Sequence, residues 1–227
     1  MRIARVDRDT MSHKGEIDDV LLKFAAGGLD MLVGTQMIAK GHDFPNVTLA
    51  AVISVDIGLG LPDLRSAERT FQLITQVAGR SGRGEKAGRV LIQTYYPDHY
   101  ALRHARGQDY EGFYKDEIRF RERFGYPPFF VLASIMIKHR DLAYASKNAN
   151  ILRRALDGAN TARNIRILGP APASISRLKN EYRLQMIIKG TSRKALRQTL
   201  DAALNDSEAN GCDMRFVYVE IDPIDLM

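Results

Sequence analysis

The chain has 227 residues, of which 45% are hydrophobic and 26% charged, a composition typical of globular proteins and unlike that of a disordered tail or a collagen-like rod. Its net charge of +6 favours polyanionic partners, and the basic excess is concentrated in two windows. Residues 65–89 hold six basic and two acidic side chains, and residues 177–197 hold seven and one. The basicity is therefore patchy, as in a binding surface.

The single cysteine, Cys212, can form neither an internal disulfide nor a cysteine-rich zinc site. No apolar run approaches the roughly 20 residues that span a bilayer, and residues 1–7 lack the apolar stretch of a signal peptide. We therefore expect a protein of the cytoplasm that has no membrane partner.

Short apolar runs alternate with amphipathic segments in the first half of the chain. The periodicity predicts strands over 3–6, 31–33, 49–55 and 90–93, and helices over 16–26 and 67–78. The runs at 31–33 and 49–55 are continuously apolar, which is typical of strands that are covered on both faces. This half is therefore predicted to be α/β, with a parallel sheet.

A helical pattern over residues 98–124 stops at Gly125-Tyr126-Pro127-Pro128, because proline is excluded from helix interiors and central strands. Beyond it the pattern predicts strands over 131–138, 165–176, 182–189 and 214–221, and helices over 142–160 and 193–204. Thr191 or Ser192 would cap the second helix. The order β-α-β-β-α-β, with helices on one face, is the α+β ferredoxin-like arrangement. We predict a first domain over 1–97, a helical linker over 98–128 and a second domain over 129–227.

The strongest motif is Q-x-x-G-R-x-G-R, at residues 76–83. Gln76 and Arg80 share a helix face, while Gly79 and Gly82 allow the chain to turn so that Arg80 and Arg83 point to one place. Two converging guanidinium groups suit a γ-phosphate that is being transferred, because they neutralise its developing charge. The alternative is a solvated basic helix end that satisfies its own carbonyl groups.

A second segment, residues 34–45, follows the predicted strand at 31–33. Together with residues 76–83 it resembles motifs V and VI of the superfamily 2 helicases in order and spacing. The resemblance implies a second RecA-like lobe, in which motif V faces the nucleic-acid backbone and the ATP ribose, and motif VI faces the γ-phosphate.

Carried over residue by residue, the resemblance implies DNA-backbone contacts for Gly34, Thr35 and Lys40. It implies that Asp43 couples the ribose to DNA. It also implies a nucleotide site that is formed by Asp43, Gln76, Gly79, Arg80 and Arg83. In that site the two arginines are the catalytic groups. Taken alone, His42 and Asp43 would be ordinary loop or cap residues.

Longer stretches resemble the primosomal protein N′ family, the helicases of bacterial replication restart. They are residues 5–10, 40–49 and 124–129 and the pair Asp222-Pro223. The resemblance implies that 1–97 is the C-terminal part of RecA-like lobe 2. It implies that 129–227 binds forked or single-stranded DNA, the acidic tail of single-stranded DNA-binding protein and other primosome proteins.

The second basic window supplies the candidate residues of that second domain. Arg177, Lys179 and Arg183 surround a predicted β-turn and would meet DNA phosphates or an acidic peptide, or else form a solvated face. Arg193 is assigned to the carboxylate of the acidic tail.

The sequence also departs from the family pattern. It contains no G-x-x-x-x-G-K-[ST] phosphate loop, no D-E-x-H motif and none of the family's zinc-binding cysteines. ATP and Mg²⁺, and likewise zinc, are therefore expected only of a full-length protein. We expect the C-terminal portion of an ATP-dependent 3′-to-5′ DNA helicase that is inactive by itself. The alternatives are a stand-alone, non-catalytic DNA- and protein-binding module, or another superfamily 2 translocase of the RecG type.

Overall fold

The computed structural model describes residues 1–7, 15–35, 38, 44, 46–79 and 87–226. The chain divides into two compact units, and the division falls inside one helix. Unit 1 comprises Met1–Gly60 and Ser66–Phe113, and unit 2 comprises Leu61–Arg65 and Tyr114–Met227. Both units contain helices and strands, so the protein is of the mixed α/β class.

Unit 1 contains two pairs of short strands. Its elements are β1 (Ile3–Val6), α1 (Glu16–Ala25), β2 (Met31–Gly34), β3 (Leu49–Val52), α2 (Asp56–Leu59), α3 (Ser66–Ala78), β4 (Arg89–Ile92), α4 (Tyr100–Arg106) and the start of α5 (Tyr110–Phe124). Among the described residues, β1 pairs with β2 and β3 pairs with β4. Both pairings are parallel, as the apolar runs predict.

The prediction that these strands are covered on both faces is wrong. Met31 and Val33 of β2 are 40% and 48% exposed, and Leu49 of β3 is 55% exposed. Side chains alternate between the two faces of a strand, so a two-stranded sheet that is covered on one side leaves every second residue in solvent. The buried cluster of this unit is formed mainly by helices, and Phe71 of α3 stacks on Phe113 of α5 with their ring centroids 4.2 Å apart.

The helical pattern over 98–124 forms two helices rather than one. Helix α4 ends at Arg106 and α5 begins at Tyr110, and Gln108 between them has a positive φ of 51°. The carboxylate of Asp109 accepts a hydrogen bond of 2.8 Å from the backbone N–H of Gly112, in the first turn of α5. Short polar side chains favour such local bonds over the continuation of a helix.

Unit 2 contains the rest of α5 and a four-stranded sheet. Its further elements are β5 (Val131–His139), α6 (Leu142–Ala159), β6 (Ile165–Leu178), β7 (Glu181–Gly190), α7 (Arg193–Ala209), a 3₁₀ turn (Met214–Phe216) and β8 (Val217–Ile221). The strands are antiparallel, in the spatial order β6-β7-β5-β8. The element order is the predicted β-α-β-β-α-β, except that the 3₁₀ turn replaces the start of the last predicted strand.

Helices α6 and α7 cover one face of this sheet. The core between them is formed by side chains that are almost fully buried, among them Ile135, Ile137, Leu152, Leu156, Leu196 and Leu200. Each helix begins at a polar cap: Asp141 accepts from the N–H of Ala143 at 2.7 Å, and Ser192 accepts from the N–H of Ala195 at 3.3 Å. Of the two predicted caps for the second helix, Ser192 is thus the one used.

The opposite face of the sheet is covered over only part of its area. There Leu64, Tyr126 and Leu226 pack against Leu132 of β5 and Ile187 of β7. The rest of that face is covered unevenly, since Ser134 and Met136 of β5 are buried whereas Tyr218 of β8 is 51% exposed. Of the helices in the described part of the chain, none is long and apolar enough to cross a membrane.

Candidate nucleic-acid interface

Two predicted DNA contacts, Gly34 and Thr35, lie where β2 ends. Gly34 is in register with Val6 of β1, and a Cβ atom at this position would overlap the carbonyl oxygen of Val6. Glycine is therefore required for the close approach of the two strands, whatever its further role. Thr35 follows it and is exposed. Both residues lie at the carboxyl end of a parallel strand, the end at which α/β sheets bind ligands.

The predicted nucleotide site is described only in part. Gln76 lies in the last turn of α3 and is partly exposed, and Gly79 follows the helix with its N–H bonded to the carbonyl oxygen of Thr75 at 3.0 Å. Four predicted residues lie outside the described residues: Lys40, Asp43, Arg80 and Arg83. The convergence of the two arginines stays a prediction.

Arg177 and Lys179 belong to a basic hairpin, which we define as residues 175–183 at the joined ends of β6 and β7. Its two-residue loop, Lys179-Asn180, has φ values of 50° and 66°, as a type I′ turn requires, and this confirms the predicted turn. Arg177 donates a hydrogen bond of 2.7 Å to Asn180 Oδ1, and its guanidinium lies 5.1 Å from the centroid of the Tyr182 ring. Arg177 is thereby held in place, while Lys179 is exposed at the tip.

Arg183 lies at the base of the basic hairpin. Its Nη1 is 3.4 Å from the carbonyl oxygen of Ile175, and its Nε is buried with no hydrogen-bond partner in the described part of the chain. Its register partner on β5 is Lys138, a second cation that the sequence analysis did not select. Nothing in the local sequence pattern marks Lys138, because its proximity to Arg183 depends on strand pairing.

Arg193, the predicted partner-binding residue, lies outside the basic hairpin, at the first position of α7. Its guanidinium forms an ion pair with the carboxylate of Asp222, and 67% of the arginine side chain is exposed. Exposed ion pairs contribute little stability, typically about 0–1 kcal/mol. An incoming carboxylate could therefore replace Asp222 at low cost.

Lys189, in the second basic window (residues 177–197), does not face solvent. This lysine is buried, donates a hydrogen bond of 3.0 Å to the carbonyl oxygen of Phe124, and lies 3.6 Å from the centroid of the Tyr126 ring. Burial, together with the nearby positive charge of Arg166, lowers its pKa to about 8. One of the seven cations of the window is thus bonded inside unit 2 and does not face a partner.

The part of the chain that the structure describes contains no group of three His, Cys, Asp or Glu side chains that could hold a metal ion. The sequence also lacks a phosphate loop.

Fold and surface together define a mixed α/β protein whose second unit carries a basic hairpin suited to polyanions. The protein family described as "Primosomal protein N C-terminal domain" matches residues 122–224. Across 97% of this chain, 44% of residues are identical to the replication restart protein PriA of Bacillus subtilis (strain 168). The PriA proteins of Haemophilus influenzae and Treponema pallidum are 38% and 37% identical, over 99% and 100% of the chain.

Over nearly its whole length, then, the chain matches the C-terminal part of PriA. It spans 27%, 30% and 34% of the lengths of these three relatives.

Proposed function

We propose that the chain acts in replication restart as the C-terminal portion of an ATP-dependent 3′-to-5′ DNA helicase. The observation that carries this proposal is the 44% identity, over 97% of the chain, to a protein named replication restart protein PriA. In this proposal unit 1 is part of a second RecA-like lobe and unit 2 is a ferredoxin-like domain. The parallel strand pairs of unit 1 and the order β6-β7-β5-β8 of unit 2 support the two assignments.

Unit 1 would contribute half of a nucleotide site that is completed by another lobe. In this proposal Gly34, Thr35 and Lys40 contact the DNA backbone. Five residues of unit 1 bind the nucleotide: Asp43, Gln76, Gly79, Arg80 and Arg83. Of these, Arg80 and Arg83 neutralise charge on the γ-phosphate. ATP, with Mg²⁺, supplies the free energy for movement along DNA. Because the chain has no phosphate loop, it does not hydrolyse ATP by itself.

Unit 2 would hold DNA and protein partners. Arg177, Lys179 and Arg183 contact phosphates of forked or single-stranded DNA, and the exposed tip of the basic hairpin supports this role. Arg193 exchanges Asp222 for the terminal carboxylate of single-stranded DNA-binding protein. Other primosome proteins bind the same unit.

The DNA assignment is tested by anisotropy of a labelled forked DNA with the full 227-residue chain over a salt series. We expect the affinity to fall steeply, with a slope of log K against log salt of about −2 to −3 for three phosphate contacts. The double variant Arg177→Gln/Lys179→Gln reduces that slope by about 2. Lys147→Gln/Arg154→Gln is the matched control, because it removes the same charge from exposed positions on α6. An affinity independent of salt would contradict the assignment.

The catalytic assignment is tested separately by measuring ATP hydrolysis. We expect the isolated chain to show none above background, even with forked DNA. A DNA-stimulated, Mg²⁺-dependent rate that disappears in Arg83→Ala would show that the chain carries a complete site.

A stand-alone, non-catalytic DNA- and protein-binding module is the second candidate, and the missing phosphate loop favours it. The genomic reading frame upstream of the Met1 codon distinguishes the two. Continuation into a phosphate loop and a cysteine cluster supports the helicase, whereas a stop codon with an independent promoter supports the module. The RecG-type alternative is disfavoured by the match of residues 122–224 to the primosomal family.

A further inference from the structure

The open part of the sheet in unit 2 forms a concavity of about 330 Å³, on the face opposite α6 and α7. Strands β5, β7 and β8 and the residues that follow β8 line it. The charged and aromatic side chains among its lining are Lys138, Arg183, Tyr218, Glu220 and Asp225.

Two cations stand directly opposite each other in this concavity. Lys138 and Arg183 are register partners on antiparallel strands, and they share the open face because their neighbours Ile137 and Leu184 belong to the core on the other face. Like charges in this position destabilise a sheet. In the part of the chain that the structure describes, neither cation forms an ion pair with a carboxylate. The arrangement therefore favours an anion between them.

Arg183 also has an unused hydrogen-bond donor. Among the residues that the structure describes, its Nε has no hydrogen-bond partner, and such a buried donor costs free energy that would be recovered if the side chain turned to present it to an acceptor. The ammonium group of Lys138 lies 4.3 Å from the centroid of the Tyr218 ring. Tyr218 is 51% exposed, so part of its ring surface is available beside the two cations.

We propose that this concavity binds one nucleotide of a single DNA strand, with its phosphate between Lys138 and Arg183 and its base stacked on Tyr218. Base stacking on an exposed aromatic ring next to a cationic groove is a general mode of single-strand binding. The inference rests on the proposed function in that it assumes DNA is held by unit 2. It adds a site on β5 and β8, away from the tip of the basic hairpin.

The two carboxylates of the concavity favour a nucleotide over an acidic peptide. An acidic peptide would place charged side chains against Glu220 and Asp225, whereas a nucleotide would place its uncharged base there and keep its phosphate beside the two cations. Carboxylate oxygens also accept hydrogen bonds from the exocyclic amino groups of bases.

The test compares binding of a labelled single-stranded oligonucleotide to the full chain and to three variants. Lys138→Gln/Arg183→Gln removes the two cations, Lys147→Gln/Arg154→Gln removes the same charge from α6, and Tyr218→Leu removes the ring. We expect the first pair to weaken binding about tenfold more than the matched pair, the scale of a lost charged hydrogen bond. Tyr218→Leu should weaken single-strand binding and leave duplex binding unchanged, because duplex bases are already stacked.

Thermal melting without DNA checks the fold of each variant. Lys138→Gln/Arg183→Gln should melt no lower than the wild type, because it removes a repulsion; if it melts lower, the single variant Lys138→Gln replaces it in the comparison.

Each contrary result has a distinct meaning. Equal losses of oligonucleotide affinity in the two double variants would overturn this site. The proposal that unit 2 binds DNA would still stand. Displacement of the oligonucleotide by an Asp/Glu-rich peptide would assign the concavity to a peptide. Equally effective displacement by inorganic phosphate alone would reduce it to a simple anion site. A wild-type chain that binds no DNA at all would overturn the proposed function itself.

Discussion

Lys189 of β7 donates a hydrogen bond of 3.0 Å to the backbone carbonyl oxygen of Phe124, at the end of α5. Helix ends leave their last carbonyl groups without intrahelical partners, and a cation there also suits the negative end of the helix dipole. The lysine thus joins the end of α5 to the sheet. Its burial carries an electrostatic cost, and that cost makes the contact dependent on pH.

Replacement of this lysine by methionine should alter how stability depends on pH. Because the pKa of Lys189 is lowered to about 8 in the folded chain, the unfolded chain keeps the proton from about pH 8 to 10.5, where the folded chain has lost it. Raising the pH through this window therefore stabilises the fold, by about 2–3 kcal/mol over the whole window. Chemical denaturation at pH 8 and pH 9.5 should show this rise in the wild type and not in Lys189→Met. Lys194→Met, at an exposed position on α7, should behave as the wild type does; equal behaviour of both variants would contradict the prediction.

Asp213 should contribute to the loss of stability in acid. Its carboxylate accepts hydrogen bonds from Arg215 at 2.6 and 2.9 Å and from the hydroxyl of Tyr144 at 3.1 Å, which holds its pKa well below the usual range. Such a group stabilises the fold above its ordinary pKa, and this contribution is lost as the pH falls toward the lowered value. Between pH 5 and 2 the free energy of unfolding of Asp213→Asn should therefore fall less than that of the wild type. Asp201→Asn, at an exposed position on α7, is the control; a fall as steep in Asp213→Asn as in the wild type would count against the assignment.

Two apolar residues near the end of the chain should differ sharply in their effect on stability. Leu226 is 4% exposed and packs with Leu64 and Leu132, whereas Ile224 is 69% exposed. We expect Leu226→Ala to lower the free energy of unfolding by about 2–5 kcal/mol, and Ile224→Ala to change it by less than about 0.5 kcal/mol. Urea denaturation measures both, and similar effects of the two variants would mean that the segment does not pack on the sheet in solution.

Two glycine-to-alanine changes should act in opposite directions. In Gly34→Ala the new methyl group would overlap the carbonyl oxygen of Val6, so we expect the β1–β2 pair to open and its amide protons to exchange faster with solvent. Gly158→Ala lies in α6 with open space around the new methyl group. It should raise the stability of unit 2 by about 0.5–1 kcal/mol, because alanine favours the helix. Unchanged exchange in Gly34→Ala would show that the strands can separate without loss.

Local patterns in the sequence predicted local structure well. The two-residue turn at Lys179-Asn180, the cap at Ser192 and the element order of unit 2 each depend on residues close together in the chain. The break at Gln108 was missed because a helical periodicity continues across it. The exposure of Leu49 was also missed, because an apolar run predicts a strand without determining how many layers cover it.

By itself the sequence determined the kinds of elements, their order and the family resemblance, because these depend on periodicity, turn residues and short motifs. Only the tertiary structure decided which cations meet. Lys138 and Arg183 are far apart in the chain and face each other through the β5–β7 register, and a shift of one residue would send the side chains of one strand to the other face. Lys189 is buried for a comparable reason, since the end of α5 and the Tyr126 ring cover it. Charge is a property of composition, but whether a charge faces solvent, a neighbour or a ligand is decided by strand pairing and packing.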